Sequence, residues 1–256
     1  MMIDELYDVL NRNMPDYNGK ICVPLSGGLD SRVIAGLISR RRSIDLSYTP
    51  FELPYPIKIA KNIESVTYSR QIAKALNIKQ YYPINVNKDS KADRDAVKGL
   101  PMESTLRKSK MYTGLRKLNE FIDTKEYTFV TGHGLDVLTG VGVTPLTLLF
   151  GNPYLKDLEA RQKKIDYFNG VFDGTYGKFG KWSCPLWSDE VEQFCMDLKL
   201  SDRYLQRLYR QMITKYFPEL AKINREEIHC PVNASELKYF MARTVYFLKK
   251  LQRSKQ

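Results

Sequence analysis

Seven consecutive residues, Leu25-Ser26-Gly27-Gly28-Leu29-Asp30-Ser31, bring together two hydroxyls, two adjacent glycines and a carboxylate. Adjacent glycines let the backbone approach an anion with its N–H groups turned inward, and a helix that starts at the loop adds its partial positive charge. The combination reads as a phosphate cradle. No lysine follows the glycines, so it is not the GxxxxGK(S/T) loop of P-loop NTPases, and the spacing is not the GxGxxG of dinucleotide binders. A carboxylate inside an anion loop repels the ligand unless a cation lies between them. Asp30 therefore implies Mg²⁺, a hard ion held by one or two carboxylates together with phosphate oxygens. Asp136, in the second glycine-bearing loop Thr131-Gly132-His133-Gly134-Leu135-Asp136, is the natural second carboxylate.

Elements of the right kind flank both loops. Ile3, Leu6, Tyr7 and Leu10 recur at helical spacing before turn formers at 13–19, so the chain opens with an amphipathic helix. Lys20 to Leu25 is a short apolar run of the kind buried in a parallel sheet, and Arg32 to Ile38 reads as the helix after the first loop. Ile44–Phe51 and Gln80–Val86 predict two further strands around a helix at Ser65–Leu76. The stretch from Asn87 to Lys98 is polar, Thr105–Ile122 predicts a helix, and Tyr127–Val130 predicts a fourth strand that runs into the second loop. Strands alternating with helices predict an α/β fold. From about residue 151 strand signals stop: 153–168 is helical, 169–182 is rich in glycine and aromatics, and three helical stretches follow. The last begins at the cap-like Asn233-Ala234-Ser235-Glu236. The expected organisation is a phosphate-binding α/β domain over 1–150 and a helical C-terminal region over 151–256 packed on it.

The chain has 256 residues, 43% of them hydrophobic and 27% charged, which suits a globular protein with a sizeable core. No window approaches the roughly 18 apolar residues of a membrane helix, and Met1-Met2-Ile3-Asp4-Glu5 lacks the order of a secretion signal. Cys22, Cys184, Cys195 and Cys230 are widely separated and contain no CxxC pair, so neither a disulfide framework nor a zinc site is expected. A soluble protein of a reducing cytoplasm is the expectation. Forty Lys and Arg against 29 Asp and Glu give a net charge of +11, a field that attracts phosphates, nucleotides, nucleic acid or acidic metabolites. The surplus is scattered in short clusters that read as solvated helix faces.

The first loop resembles the pyrophosphate loop of the PP-loop ATP pyrophosphatases, which cleave ATP between the α- and β-phosphates and adenylate a carboxylate or carbonyl oxygen. Thr131 to Asp136, followed by Gly140, is similar to the second signature of asparagine synthetase-type enzymes within that superfamily. Glu64 with Arg70-Gln71-Ile72-Ala73, and Pro185-Leu186-Trp187 through Tyr216–Leu220, resemble the same family's helical parts. The resemblance implies a parallel twisted sheet with helices on both faces, of the adenine nucleotide alpha hydrolase-like kind. It implies that Ser26, Gly27, Gly28, Asp30 and Ser31 hold the triphosphate and then pyrophosphate, that Asp30 and Asp136 hold Mg²⁺, and that Leu25, Thr49, Thr131 and Gly132 frame the adenosine. His133 stands where asparagine synthetase relatives carry Glu and β-lactam-forming relatives Tyr. A neutral imidazole there can take the proton from incoming ammonia or amine.

Two departures stand out. There is no room for a glutaminase domain with an N-terminal cysteine, so nitrogen is expected from free ammonia, an amine or a separate partner. The family's lysine after the leucine-proline of the tail has no counterpart: Glu219 to Glu227 follows Phe217-Pro218, and Lys222 and Arg225 are the candidates for its charge-neutralising role. The implied function is an ATP-dependent amide ligase that forms AMP and pyrophosphate while adenylating a small-molecule carboxylate. Two alternatives stand beside it. One is a PP-loop enzyme modifying tRNA or a nucleobase, for which the +11 charge speaks; the other is a nucleotide-binding module that has lost catalysis. The glycines at 170–180, interleaved with Phe172, Tyr176, Phe179 and Trp182, read as a mobile lid or as an ordered loop packed by its own aromatics.

Overall fold

The structure, a computed structural model, describes residues 2–52, 59–87, 90–100, 105–132, 158–226 and 228–253. The elements run α1 (Met2–Arg12), β1 (Lys20–Pro24), α2 (Leu29–Arg41), β2 (Leu46–Phe51), α3 (Ile59–Ala75), β3 (Gln80–Asn85), α4 (Lys91–Ala96), α5 (Thr105–Asn119) and β4 (Tyr127–Val130). They continue with α6 (Leu158–Gly174), β5 (Lys181–Ser183), α7 (Asp189–Asp197), α8 (Leu200–Arg203), α9 (Arg207–Tyr216), α10 (Pro218–Ala221), β6 (Asn224–Arg225), β7 (Cys230–Pro231) and α11 (Glu236–Arg253). Five strands form one parallel sheet in the order β3-β2-β1-β4-β5. β6 and β7 form a separate antiparallel pair.

Side chains alternate across a strand, and here each face of the sheet receives its own apolar layer. Ile21 and Val23 of β1 point into one layer, built with α1, α2, α3, α7, α9 and α10. Cys22 points into the other, where Leu46, Tyr48 and Phe129 meet Leu115 and Leu118 of α5 and Val171 and Phe172 of α6. A sheet covered on both faces needs strands that are apolar throughout, which is why Ile21, Cys22 and Val23 are all fully buried. The expected fold class holds: a parallel sheet with helices on both faces.

Strands β5, β6 and β7 and helix α4 differ from the sequence expectation. Residues 181–183, beyond the point where strand signals stop, pair with β4 as the edge strand β5. Three residues with Trp182 at their centre are too short to show a period of two. The polar stretch after Asn87 contains α4, started by a capping box in which Ser90 and Asp93 each bond the other's backbone N–H. The glycine-aromatic segment is an ordered packing unit: Phe172, Tyr176 and Phe179 are buried, and Trp182 Nε1 donates to Asp173 at 2.8 Å.

Candidate functional site

In this strand order the chain turns from one side of the sheet to the other around β1, whose neighbours are β2 and β4. The crevice outside the carboxyl ends of strands at such a reversal is where open α/β sheets bind ligands. The Ser26–Ser31 loop leaves β1 there, and Thr131 and Gly132 leave β4 beside it. A Cβ on Gly132 would come within 2.7 Å of the Asp30 carbonyl oxygen, so the absence of a side chain lets the two loops touch.

The first loop is ordered by its own hydroxyls. The Ser26 N–H donates to Ser31 Oγ at 3.1 Å, Ser31 Oγ donates to the Ser26 carbonyl at 3.1 Å, and the Gly28 N–H donates to Ser26 Oγ at 3.2 Å. Gly28 is the N-cap of α2 and offers no side-chain cap. The first-turn N–H groups of a 13-residue helix thus face the loop without the usual serine or aspartate acceptor. From below, Leu25 is held by β2: its N–H donates to the Tyr48 carbonyl at 2.9 Å, and its carbonyl accepts Thr49 Oγ1 at 2.9 Å. Tyr81 donates to Thr49 Oγ1 at 3.0 Å.

Loop and sheet enclose a cleft of about 340 Å³, within the size of small-molecule sites. Leu25, Ser26, Asp30, Ser31, Thr131 and Gly132 line it. Gly27 and Gly28 belong to the same loop, and Thr49 lies beneath, buried, as the support of Leu25. His133 and Asp136 fall outside the described residues. Lys222 is on the surface, with Glu219 accepting from it at 3.0 Å. Arg225, in β6, is buried, and its guanidinium donates to Gln206 Oε1 at 2.5 Å and to Tyr239 Oη at 2.8 Å. Neither of these two lines the cleft.

Sequence reasoning passed over several residues that do. Glu52, Lys110 and Glu226 line the cleft, and Lys110 forms an ion pair with Glu52. Glu226 lies against the loop itself: its N–H donates to the Gly27 carbonyl at 3.2 Å, and a Cβ on Gly27 would come within 2.5 Å of its own Cβ. The tail after α10 thus contributes an acid, Glu226, to the cleft. Tyr209 of α9 donates to Asp30 Oδ1 at 3.3 Å. Cys184, just past β5, lies close enough to Asp30 to feel its charge; burial, and then that carboxylate, push its thiol well above the usual range. It is no thiolate at neutral pH.

The cleft offers oxygen donors of the kind a hard cation such as Mg²⁺ takes. Asp30 and Glu226 present hard carboxylate oxygens beside the anion loop, while among the described residues no group of three or more His, Cys, Asp or Glu makes a complete metal site. That suits an ion whose remaining ligands are phosphate oxygens and water.

No protein-family model matches the chain, and no curated protein matches its sequence. Among solved structures it is similar to the U34-tRNA thiolase NcsA from Methanococcus maripaludis with its 4Fe–4S cluster, at 17% sequence identity and a TM-score of 0.38, covering 93% of this chain and 86% of that one. No described helix is long and apolar enough to cross a membrane.

Proposed function

We propose that this chain is an ATP-using enzyme of the PP-loop type that cleaves ATP between the α- and β-phosphates and transfers AMP to a carbonyl oxygen of a nucleobase, with tRNA as the substrate class. The observation that carries the nucleotide half of this reading is the uncapped start of α2 behind a loop of two glycines and two mutually bonded serines, at the reversal of the sheet. Its N–H groups are oriented for an anion before any ligand arrives, so little reorganisation is required on binding. Asp30, with Glu226 or Asp136, would hold Mg²⁺, which would neutralise charge where carboxylates and phosphates meet. Leu25, Thr131 and Gly132 frame the nucleoside end, and Thr49 fixes Leu25.

Electrostatics supports a nucleobase acceptor. Among the described residues the cleft carries three carboxylates, Asp30, Glu52 and Glu226, against the single ammonium of Lys110, which is already paired with Glu52. A small carboxylate substrate would add another negative charge to this surplus, whereas a base carbonyl adds none. The net charge of +11 draws in the polyanion that bears the base. The second reading, an asparagine synthetase-type amide ligase acting on a carboxylate with ammonia or an amine, rests on the Thr131–Asp136 loop. In it His133 is the base for the attacking nitrogen.

Turnover with α-labelled ATP, Mg²⁺ and either bulk tRNA or a panel of carboxylic acids with ammonium decides between them. The expected outcome is one pyrophosphate released for each α-label carried onto tRNA as the base-bound adenylate, the label leaving as AMP only when a nucleophile such as water or ammonium displaces it, with no added rate from any acid. Stimulation by an acid plus ammonium alone gives the site to the ligase reading. Stoichiometric ADP and orthophosphate would remove the PP-loop assignment altogether.

A further inference from the structure

Arg32, four residues into α2, is fully buried directly behind the glycine loop. It sits in an otherwise apolar run, and its partners are four backbone carbonyls: Nη1 donates to Leu220 at 2.7 Å and Ile223 at 2.8 Å, Nη2 to Asn224 at 3.0 Å and Gly27 at 3.3 Å. Nε is buried without an acceptor. Among the described residues no carboxylate is paired with this charge. Burial, and then neighbouring Arg225, lower its pKa to about 9, so the guanidinium remains charged at neutral pH. An uncompensated buried cation is costly to a fold and needs a reason to be there.

The hydrogen bond to Gly27 points to one. The Gly27 carbonyl accepts from both Arg32 Nη2 and the Glu226 N–H, while the N–H at the other end of the same peptide unit, that of Gly28, turns to Ser26 Oγ at the cleft. Two donors on the carbonyl fix the plane of the peptide and polarise its N–H, because hydrogen bonds in a chain strengthen one another. The other three acceptors run along the tail from α10 into β6: Leu220 in α10, Ile223 after it and Asn224 in β6. Arg32 thus joins the back of the loop to the segment that carries Glu226.

We propose that Arg32 is the positioning residue of the phosphate loop: it locks the Gly27–Gly28 peptide to the tail at 220–226 and places beneath the loop the fixed positive charge that a lysine facing the ligand would otherwise bring. This rests on the nucleotide reading above and accounts for a site whose tail contributes an acid, Glu226, where a cation is wanted. The cation stands one peptide unit behind the ligand. A buried charge compensated only when an anion arrives makes anion binding and the order of the tail two sides of one equilibrium.

The test uses inorganic pyrophosphate with Mg²⁺ as the probe, read by calorimetry on the wild-type chain, Arg32→Lys and Arg32→Met. If Arg32 supplies charge, Arg32→Met weakens pyrophosphate by about tenfold or more, and Arg32→Lys stays within a few-fold of wild type. Equal affinity in all three overturns the proposal and leaves the nucleotide reading standing; equal loss in both variants with far-UV spectra unchanged overturns the charge role. Failure of the wild-type chain to bind either pyrophosphate or Mg·ATP removes both readings. Hydrogen exchange on the wild-type chain guards against variants that fail to fold. Pyrophosphate should slow exchange at the Glu226 amide and across 220–226, and unchanged exchange there refutes the lock.

Discussion

Helices α2 and α11 are both rich in apolar and basic residues, and the fold uses them in opposite ways. In α2 every residue from Ser31 to Ile38 is buried, Arg32 included. α11 is docked by one side, with Tyr239 fully buried, while Leu237, Phe240, Met241, Val245 and Leu248 remain in solvent. The difference follows from place. α2 starts at the sheet's central strand and is wrapped by α1, α9 and α10 against the sheet. α11 comes last and rests on a small cluster of Leu205, Ile228 and Cys230. A loop preorganised for an anion needs a firmly held helix beneath it, and α2, buried from Ser31 to Ile38, meets that need for the proposed phosphate site.

The largest expected effect lies at the open end of α2. Asp30→Asn removes the carboxylate proposed to hold Mg²⁺ but leaves its shape and its contact with Tyr209. ATP turnover at saturating Mg²⁺ should fall about 100-fold or more while the melting temperature stays within a few degrees of wild type. Unchanged turnover would detach the carboxylate from the site. Next is Leu37→Ala, which opens a cavity in the layer around α2. Denaturant unfolding should show a loss of about 2–5 kcal/mol, as for other fully buried leucines.

A buried charge elsewhere sharpens the meaning of Arg32. Asp93, buried between α4 and α5, is matched by real partners: Arg116 Nε at 2.8 Å, Thr113 Oγ1 at 3.0 Å and the Ser90 N–H at 3.0 Å. Burial opposes its ionisation, but Arg116, Ser90 and Thr113 outweigh that and bring the carboxyl down to about 2. Because the folded value lies below the unfolded one near 4, this stabilisation is complete above about pH 4 and is lost as pH falls toward 2. Asp93→Asn should lower stability at pH 7 by about 1–3 kcal/mol and flatten the acid limb between pH 4 and 2 in urea unfolding. A variant with the wild-type acid limb would show that Asp93 does not govern it.

The sheet and the first loop were legible in the sequence because β1 and α2 bracket a dense, unusual set of residues, and burial on both faces leaves apolar runs that need no partner to recognise. β5 was not, since three residues hold no period. Arg32 hid within an apolar helical run: nothing local marks an arginine whose acceptors are carbonyls some 190 positions away. Glu226 drew no reading of its own in the sequence. Its contact with Gly27 depends on the path of the chain through β6, which two-residue strands do not announce. The Asp136 and His133 assignments rest on motif spacing alone.

The smallest expected effect tests the other half of the comparison. Leu237 and Leu248 are 71% and 53% exposed on the outer side of α11, so their apolar surface is in water in both the folded and the unfolded chain. Glutamine is close to leucine in helix propensity, and the double substitution Leu237→Gln, Leu248→Gln leaves the helix backbone equally favoured. The docked side is untouched: Tyr239 keeps Arg210 over its ring at 3.5 Å and Arg225 donating to its hydroxyl at 2.8 Å. Unfolding free energy should therefore change by no more than about 0.5 kcal/mol, against several for Leu37→Ala, and far-UV helicity should be unaltered. A loss approaching that of Leu37→Ala would mean that this face of α11 is covered in solution, and the contrast between the two helices would then be one of partner rather than of exposure.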